Sequence, residues 1–140
     1  MKNKIRIASG QGFWGDLQSA PYDQVSKGQI DYLMMDFLAE VTMSIMQKQK
    51  HRNPELGYAK DLVTIIEHIL PKCIEKNIKI ITNGGGVNPE GCRDAIFKWA
   101  SKKGFNGLKI GIVQGDDILG KLDAFSSRRI ELNNMETSES

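Results

Sequence analysis

The stretch that decides the fold is LVTIIEHILPKCIEKNIKIITNGGGVNPEGCRDAIFKWA, residues 62–100. Leu62, Ile65, Ile66, Ile69, Leu70, Cys73 and Ile74 recur at helical spacing, so one stripe of a helix faces a core. Pro71 interrupts that stripe. It cannot donate to the carbonyl of Glu67, which predicts a kink or break. Lys79 to Asn83 then forms a short β-type run. Three glycines follow, and Asn88 with Pro89 supplies the cap and first position of a second helix. That helix carries its own stripe, Cys92, Ile96, Trp99 and Ala100, and Gly104 ends it. A strand held between two amphipathic helices is the repeating unit of a parallel sheet.

The pattern extends both ways along the chain. Ile5 to Ser9 and Ile30 to Asp36 are short apolar runs bounded by Gly and Asp, as in strands buried on both faces. Leu108 to Gln114 reads as a fourth strand. Ala20 to Lys27, with Pro21 near its start, and Leu38 to Lys48 read as helices, and another is expected from Asp116 or Asp117 onward. The order predicts an α/β protein, with an open three-layer parallel sheet of about four strands and flanking helices. A fragment of a larger α/β fold is the alternative. Residues 1–125 form the expected domain and 126–140 a polar C-terminal tail.

Composition narrows the classes. The 140 residues are 40% hydrophobic and 26% charged, with a formal net charge of +2, ordinary values for a globular domain. Basic residues are interspersed with acids, so no nucleic-acid footprint is read. No apolar run approaches the roughly 20 residues that span a bilayer. Neither membrane association nor a signal segment is expected, and the default compartment is the cytoplasm. Cys73 and Cys92 fit small apolar fillers in helices. His51 and His68 lack partners at ligand spacing, so no metal site is assigned, and no cofactor is identified.

Candidate site residues gather at the strand exits, where open parallel sheets bind ligands. Gly10, Gly12 and Gly15 formally satisfy the dinucleotide pattern after the first strand, with Asp36 placed for a ribose. Against that reading, the loop holds Phe13 and Trp14, and Pro21 argues against a long helix starting at Gly12. Asn83, Gly84, Gly85, Gly86 and Asn88 precede a capped helix and suit a phosphate or carboxylate. The same glycines are equally explained by a turn needing positive φ. Asp36 and Asp116 are the candidate catalytic groups. Asp116 and its neighbour Asp117 are also natural helix caps.

Four segments carry a family resemblance: IRIASGQGFWGD at 5–16, DYLMMDFLAE at 31–40, ITNGGGVNP at 81–89 and GDDIL at 115–119. Together they resemble the N-terminal part of the acyclic terpene utilisation family, AtuA. The resemblance implies a cytoplasmic protein linked to catabolism of acyclic terpenes such as citronellol and geraniol, through branched acyl-coenzyme A thioesters. It implies no catalytic residues. Family members are several times longer, so a homo-oligomer or a partner chain supplying the rest is expected.

The leading expectation is therefore a metabolic domain binding a small anionic ligand, an acyl-coenzyme A or terpenoid acid, at the strand ends. The alternatives are a dinucleotide-binding oxidoreductase domain and a non-catalytic assembly subunit or truncated remnant. Whether the chain is an enzyme is left open.

Overall fold

A computed structural model describes residues 3–127 together with 133, 137 and 138. Three strands make one parallel sheet, β1 (Ile7–Gln11), β2 (Tyr32–Met35) and β3 (Lys79–Thr82), in the order β1-β2-β3. Between and after them lie α1 (Ala20–Lys27), α2 (Glu40–Arg52), α3 (Lys60–Lys76) and α4 (Pro89–Lys102). A 3-10 turn at Leu119–Lys121 leads into α5 (Leu122–Ser127). The α/β architecture thus stands as read. Ten of the fifteen residues of the expected polar tail lie outside the described residues. No helix among the described residues is long and apolar enough to cross a membrane.

β2 is the central strand, and its alternation fixes the core. Leu33 and Met35 point to one face and are fully buried, with Phe37 just beyond them. The α3 stripe of Leu62, Ile65, Ile66, Ile69, Leu70 and Cys73 belongs to the same buried cluster. α1 packs beside α3 and adds Val25, while α4 adds Cys92 and Ile96. Both cysteines are buried and free, and burial pushes each thiol up to about 11. The opposite sheet face, where a second helix layer would lie, carries Ile7, Met34 and Ile81 at 62%, 38% and 55% exposure.

α3 runs unbroken from Lys60 to Lys76 with Pro71 inside it, where the sequence predicts a kink or break. The missing bond costs the helix one link, but Leu70 and Cys73 on either side are both anchored in the core. Tertiary burial therefore outweighs the local break. Asn77 ends the helix in the left-handed conformation, at φ 55°.

The fourth strand is corrected. Leu108 to Gln114 forms no ladder, and the sheet has three strands instead of four. The two-residue alternation is nevertheless present. Leu108, Ile110 and Ile112 are partly buried, whereas Lys109, Gly111 and Val113 are exposed. A cleft separates the segment from β3, so periodicity survives without pairing. The helix expected from Asp116 or Asp117 is also displaced. Asp117 Oδ1 instead accepts from Leu119 N–H at 3.0 Å, just ahead of the 3-10 turn that precedes α5.

Leu62→Ala is expected to cost roughly 2–5 kcal/mol in urea denaturation, because it opens a cavity under β2. Ile81→Ala, on the exposed face, is expected to stay within about 0.5 kcal/mol. Equal losses would contradict this placement of the core.

Candidate functional site

The exits of β2 and β3 are stitched together by side chains, and that of β1 is joined to them through the backbone. Asn83 Nδ2 donates to Asp36 Oδ1 at 2.6 Å, and Asn83 Oδ1 accepts from Phe37 N–H at 2.8 Å. Asp36 Oδ1 also accepts from Leu38 N–H at 3.1 Å. One residue earlier in the network, Asp36 N–H donates to the Gln11 carbonyl at 3.0 Å. Gln11 itself is 2% exposed and donates through Nε2 to the Leu17 carbonyl at 2.9 Å. The irregularity in β1 between Ser9 and Gln11 places these consecutive residues out of strict alternation, which is how both Gly10 and Gln11 become buried.

Asp36 is consequently a carboxylate. The Asn83 amide, then the Leu38 backbone N–H, hold its carboxyl below the usual carboxylate value of 3.8. At neutral pH it can accept a hydrogen bond or attract a cation, but it has no proton to donate.

Each glycine of the 84–86 run has its own packing reason. A side chain at Gly84 would meet Leu62 Cδ2 at 2.8 Å and Phe37 Cδ2 at 3.0 Å. At Gly85 it would press on Pro89 at 3.1 Å. Gly86 has φ 55° and lies against Met46 Sδ. Most of the loop's donors are also used. Gly84 N–H donates to Thr82 Oγ1, Gly86 N–H to the Asn83 carbonyl, Val87 N–H to Gly57 and Asn88 N–H to Gly85. Asn88 is buried, caps Gly91 N–H, and donates to the carbonyls of Pro54 and Leu56. The loop is thus a packed corner, and among the described bonds none is donated by Gly85 N–H.

The loop after β1 is closed upon itself. Asp16 Oδ2 accepts from Gly12 N–H at 2.9 Å and Asp16 Oδ1 from Leu17 N–H. These two bonds lower its carboxyl below the ordinary value. Trp14 packs on the core and donates Nε1 to the Asp61 carboxylate at 2.9 Å. A side chain at Gly10 would meet Leu33 and Pro21 at 3.1–3.2 Å. α1 starts at Ala20, well past Gly15. The glycines here serve close packing and a turn, and no helix N-terminus meets the Gly12 loop as a dinucleotide site requires.

The larger concave feature lies on the β3 side. A cleft of about 1650 Å³ runs between β3, α3, α4 and residues 108–119. Asn83, Gly85, Gly86 and Asp116 line it together. Gly84 faces the core instead, and Asp36 stands behind Asn83. Gly10 and Gly12 belong to the far edge of the sheet. Most of the cleft wall is apolar, including Ile66, Ile80, Ile96, Leu108 and Ile110, and Lys79, Arg93 and Lys109 also border it. The described residues include no group of three or more His, Cys, Asp or Glu side chains placed to hold a metal.

Sequence reasoning missed two contributors. Gln11 sits inside a glycine loop, yet its side chain holds that loop through the Leu17 carbonyl while its own carbonyl accepts from Asp36 N–H at the exit of β2. Glu90 accepts from Gln114 Nε2, fastening the distal segment to the first turn of α4; nothing in local spacing announces a contact across 24 residues.

The folded state holds the Asp36 proton more weakly than the unfolded chain does. Its stabilising contribution is therefore complete above the unfolded value and is lost as pH falls through it toward the lower folded value. The urea midpoint of the wild type is expected to fall more steeply below about pH 4 than that of Asp36→Asn. Parallel curves would show that the Asp36–Asn83 contact contributes nothing to pH-dependent stability.

No curated protein and no solved structure matches this chain. The family model described as "Acyclic terpene utilisation family protein AtuA" matches residues 5–140. On that match over nearly its full length, the chain belongs to the acyclic terpene utilisation family AtuA.

Proposed function

We propose that this chain acts in acyclic terpene catabolism, of the citronellol and geraniol type, by binding an amphiphilic anion such as a terpenoid acid or an acyl-coenzyme A. The observation that carries the reading is the cleft beside β3. It reaches the strand exits, with Asn83, Gly85 and Asp116, and most of its wall is apolar. Apolar walls favour an aliphatic chain by roughly 0.8 kcal/mol per buried CH₂. The family description agrees in kind, because acyclic terpenes are branched aliphatic chains.

Charge decides where the head group goes. Asp36 is ionised and repels an anion, so the carboxylate end of the ligand belongs toward Gly85 and the basic side chain of Arg93 near the start of α4. Asp36 then serves to hold Asn83 in place and Asp116 to meet a polar group of the ligand, which gives the pair an orienting role. The dinucleotide alternative loses its support in the closed loop at residues 12–17.

The exposed sheet face favours a second reading, in which association of copies or of a partner chain is part of the function. Parallel sheets are normally covered on both faces, and Ile7, Met34 and Ile81 are not.

A thermal-shift series with citronellic acid, octanoyl-coenzyme A and inorganic phosphate tests the first reading. At ten times its dissociation constant, a bound ligand raises stability by about 1.4 kcal/mol, or roughly 3–8 °C for a domain of this size. The acid or thioester is expected to shift the folded protein, and phosphate alone is not. No shift with either amphiphile would end this proposal. Light scattering tests the second reading: Met34→Glu with Ile81→Glu is expected to convert an associated wild type to monomer, and a monomeric wild type would remove it.

A further inference from the structure

We infer that residues 108–114 are a fourth parallel strand out of its seat, and that they close onto the free edge of β3. The inference goes beyond the ligand reading and does not depend on it. Four observations point the same way.

The first is the free edge. Lys79 N–H donates to the Asp31 carbonyl on the β2 side at 3.0 Å. Backbone groups alternate along a strand, so the N–H and C=O of Ile80 and Thr82 face away from β2. No backbone bond joins β3 to residues 108–114. An open edge of this kind is a template for another strand.

The second is phase. Ile80 faces the packed core, as do Leu108 and Ile110. Ile81 and Val113 face outward at 55% and 96% exposure. A seated strand must present its alternating faces in step with its neighbour, and this segment already does.

The third is direction and winding. The segment follows α4, which runs back across the sheet from β3. Its far end is tied to the first turn of α4 by the hydrogen bond from Gln114 to Glu90. It therefore runs parallel to β3. α1, α3 and α4 all contribute to one core on one face, and the strands are laid down in the order β1-β2-β3. The next strand wound with the same hand falls beside β3.

The fourth is size. The cleft of about 1650 Å³ exceeds the roughly 300–1,000 Å³ usual for a small-molecule pocket. β3 and the segment both line that cleft, and a paired strand would sit about 4.8 Å from its neighbour. Closing would satisfy edge groups of Ile80 and Thr82, narrow the cleft, and draw Gly115 and Asp116 toward Asn83. The cleft mouth is then set by the position of this strap.

Hydrogen exchange on the ligand-free protein tests the closure, with peptides covering 79–83 and 108–114. Both segments are expected to exchange together, about a hundredfold more slowly than unstructured amides. Gly111→Pro and Ile112→Pro supply the control. Adjacent residues turn their N–H groups to opposite edges, so only one of the two prolines removes a bond to β3. One variant is expected to lose protection at residues 80–82 about tenfold or more, and the other to keep it. Exchange of 108–114 at the unstructured rate in the wild type would overturn the inference. So would full protection of residues 80–82 in both variants. Because no ligand is present, the result is independent of the thermal-shift outcome.

Discussion

The structure depends on the buried cluster shared by the inner face of β2 and the stripe of α3. Leu33, Met35 and Phe37 alternate off one strand, and Leu62, Ile65, Ile66 and Ile69 recur along one helix. Neither element could bury its apolar side alone. Their meeting fixes the position of β3, which is joined to α3 through Asn77 and Ile78. It also fixes the corner at residues 84–88, because Gly84 must pass close to both Leu62 and Phe37. That corner sets where α4 begins. The candidate site is thus built on a strand-helix cluster that contains none of its polar residues.

The same cluster explains why glycine-rich strand exits are weaker evidence for a ligand than they look. Gly10, Gly84 and Gly85 each lie where a methyl group would collide with a neighbour, and Gly86 adopts a conformation that favours glycine. The run of three is the product of three separate close approaches. Backbone donors in the run are largely spent within the loop. What distinguishes the exits is instead the Asp36–Asn83 side-chain pair together with the backbone bond from Asp36 N–H to the Gln11 carbonyl, which link all three strands at one end. Such a network restrains the mouth of the cleft without having to touch what enters it.

Much of the fold was legible because local and tertiary signals agree. The α3 stripe, the Asn88 cap followed by Pro89, and three short apolar runs bounded by Gly, Asn and Asp all translate directly into elements. Legibility failed where an outcome depends on a partner distant in the chain. Pro71 is a local breaker, overruled by the burial of Leu70 and Cys73. Leu108 to Gln114 has every intrinsic feature of a strand, and alternation cannot say whether a neighbouring edge is within bonding reach. Of the candidate residues, Asp36 and Asn83 were legible from their place at strand exits, whereas Asp116 follows a run that pairs with no strand. The pairing of Asp36 with Asn83 was not legible, since it joins residues 47 positions apart. The cleft was equally hidden, because its walls come from three regions that each read only as core.

The ionised state of Asp36 constrains any chemistry at this site. A carboxylate whose Oδ1 is committed to Asn83 and Leu38 is a poor general acid, and its lowered proton affinity makes it a weak base. The network therefore suits orientation more than proton transfer. Asp116 differs, because it stands on the edge of the cleft, on the segment whose seating against β3 is inferred. Its distance from Asn83 is governed by residues 108–114. Any role for Asp116 in turning over a bound ligand then requires the strand to seat, and the completeness of the sheet and the completeness of the site become one question.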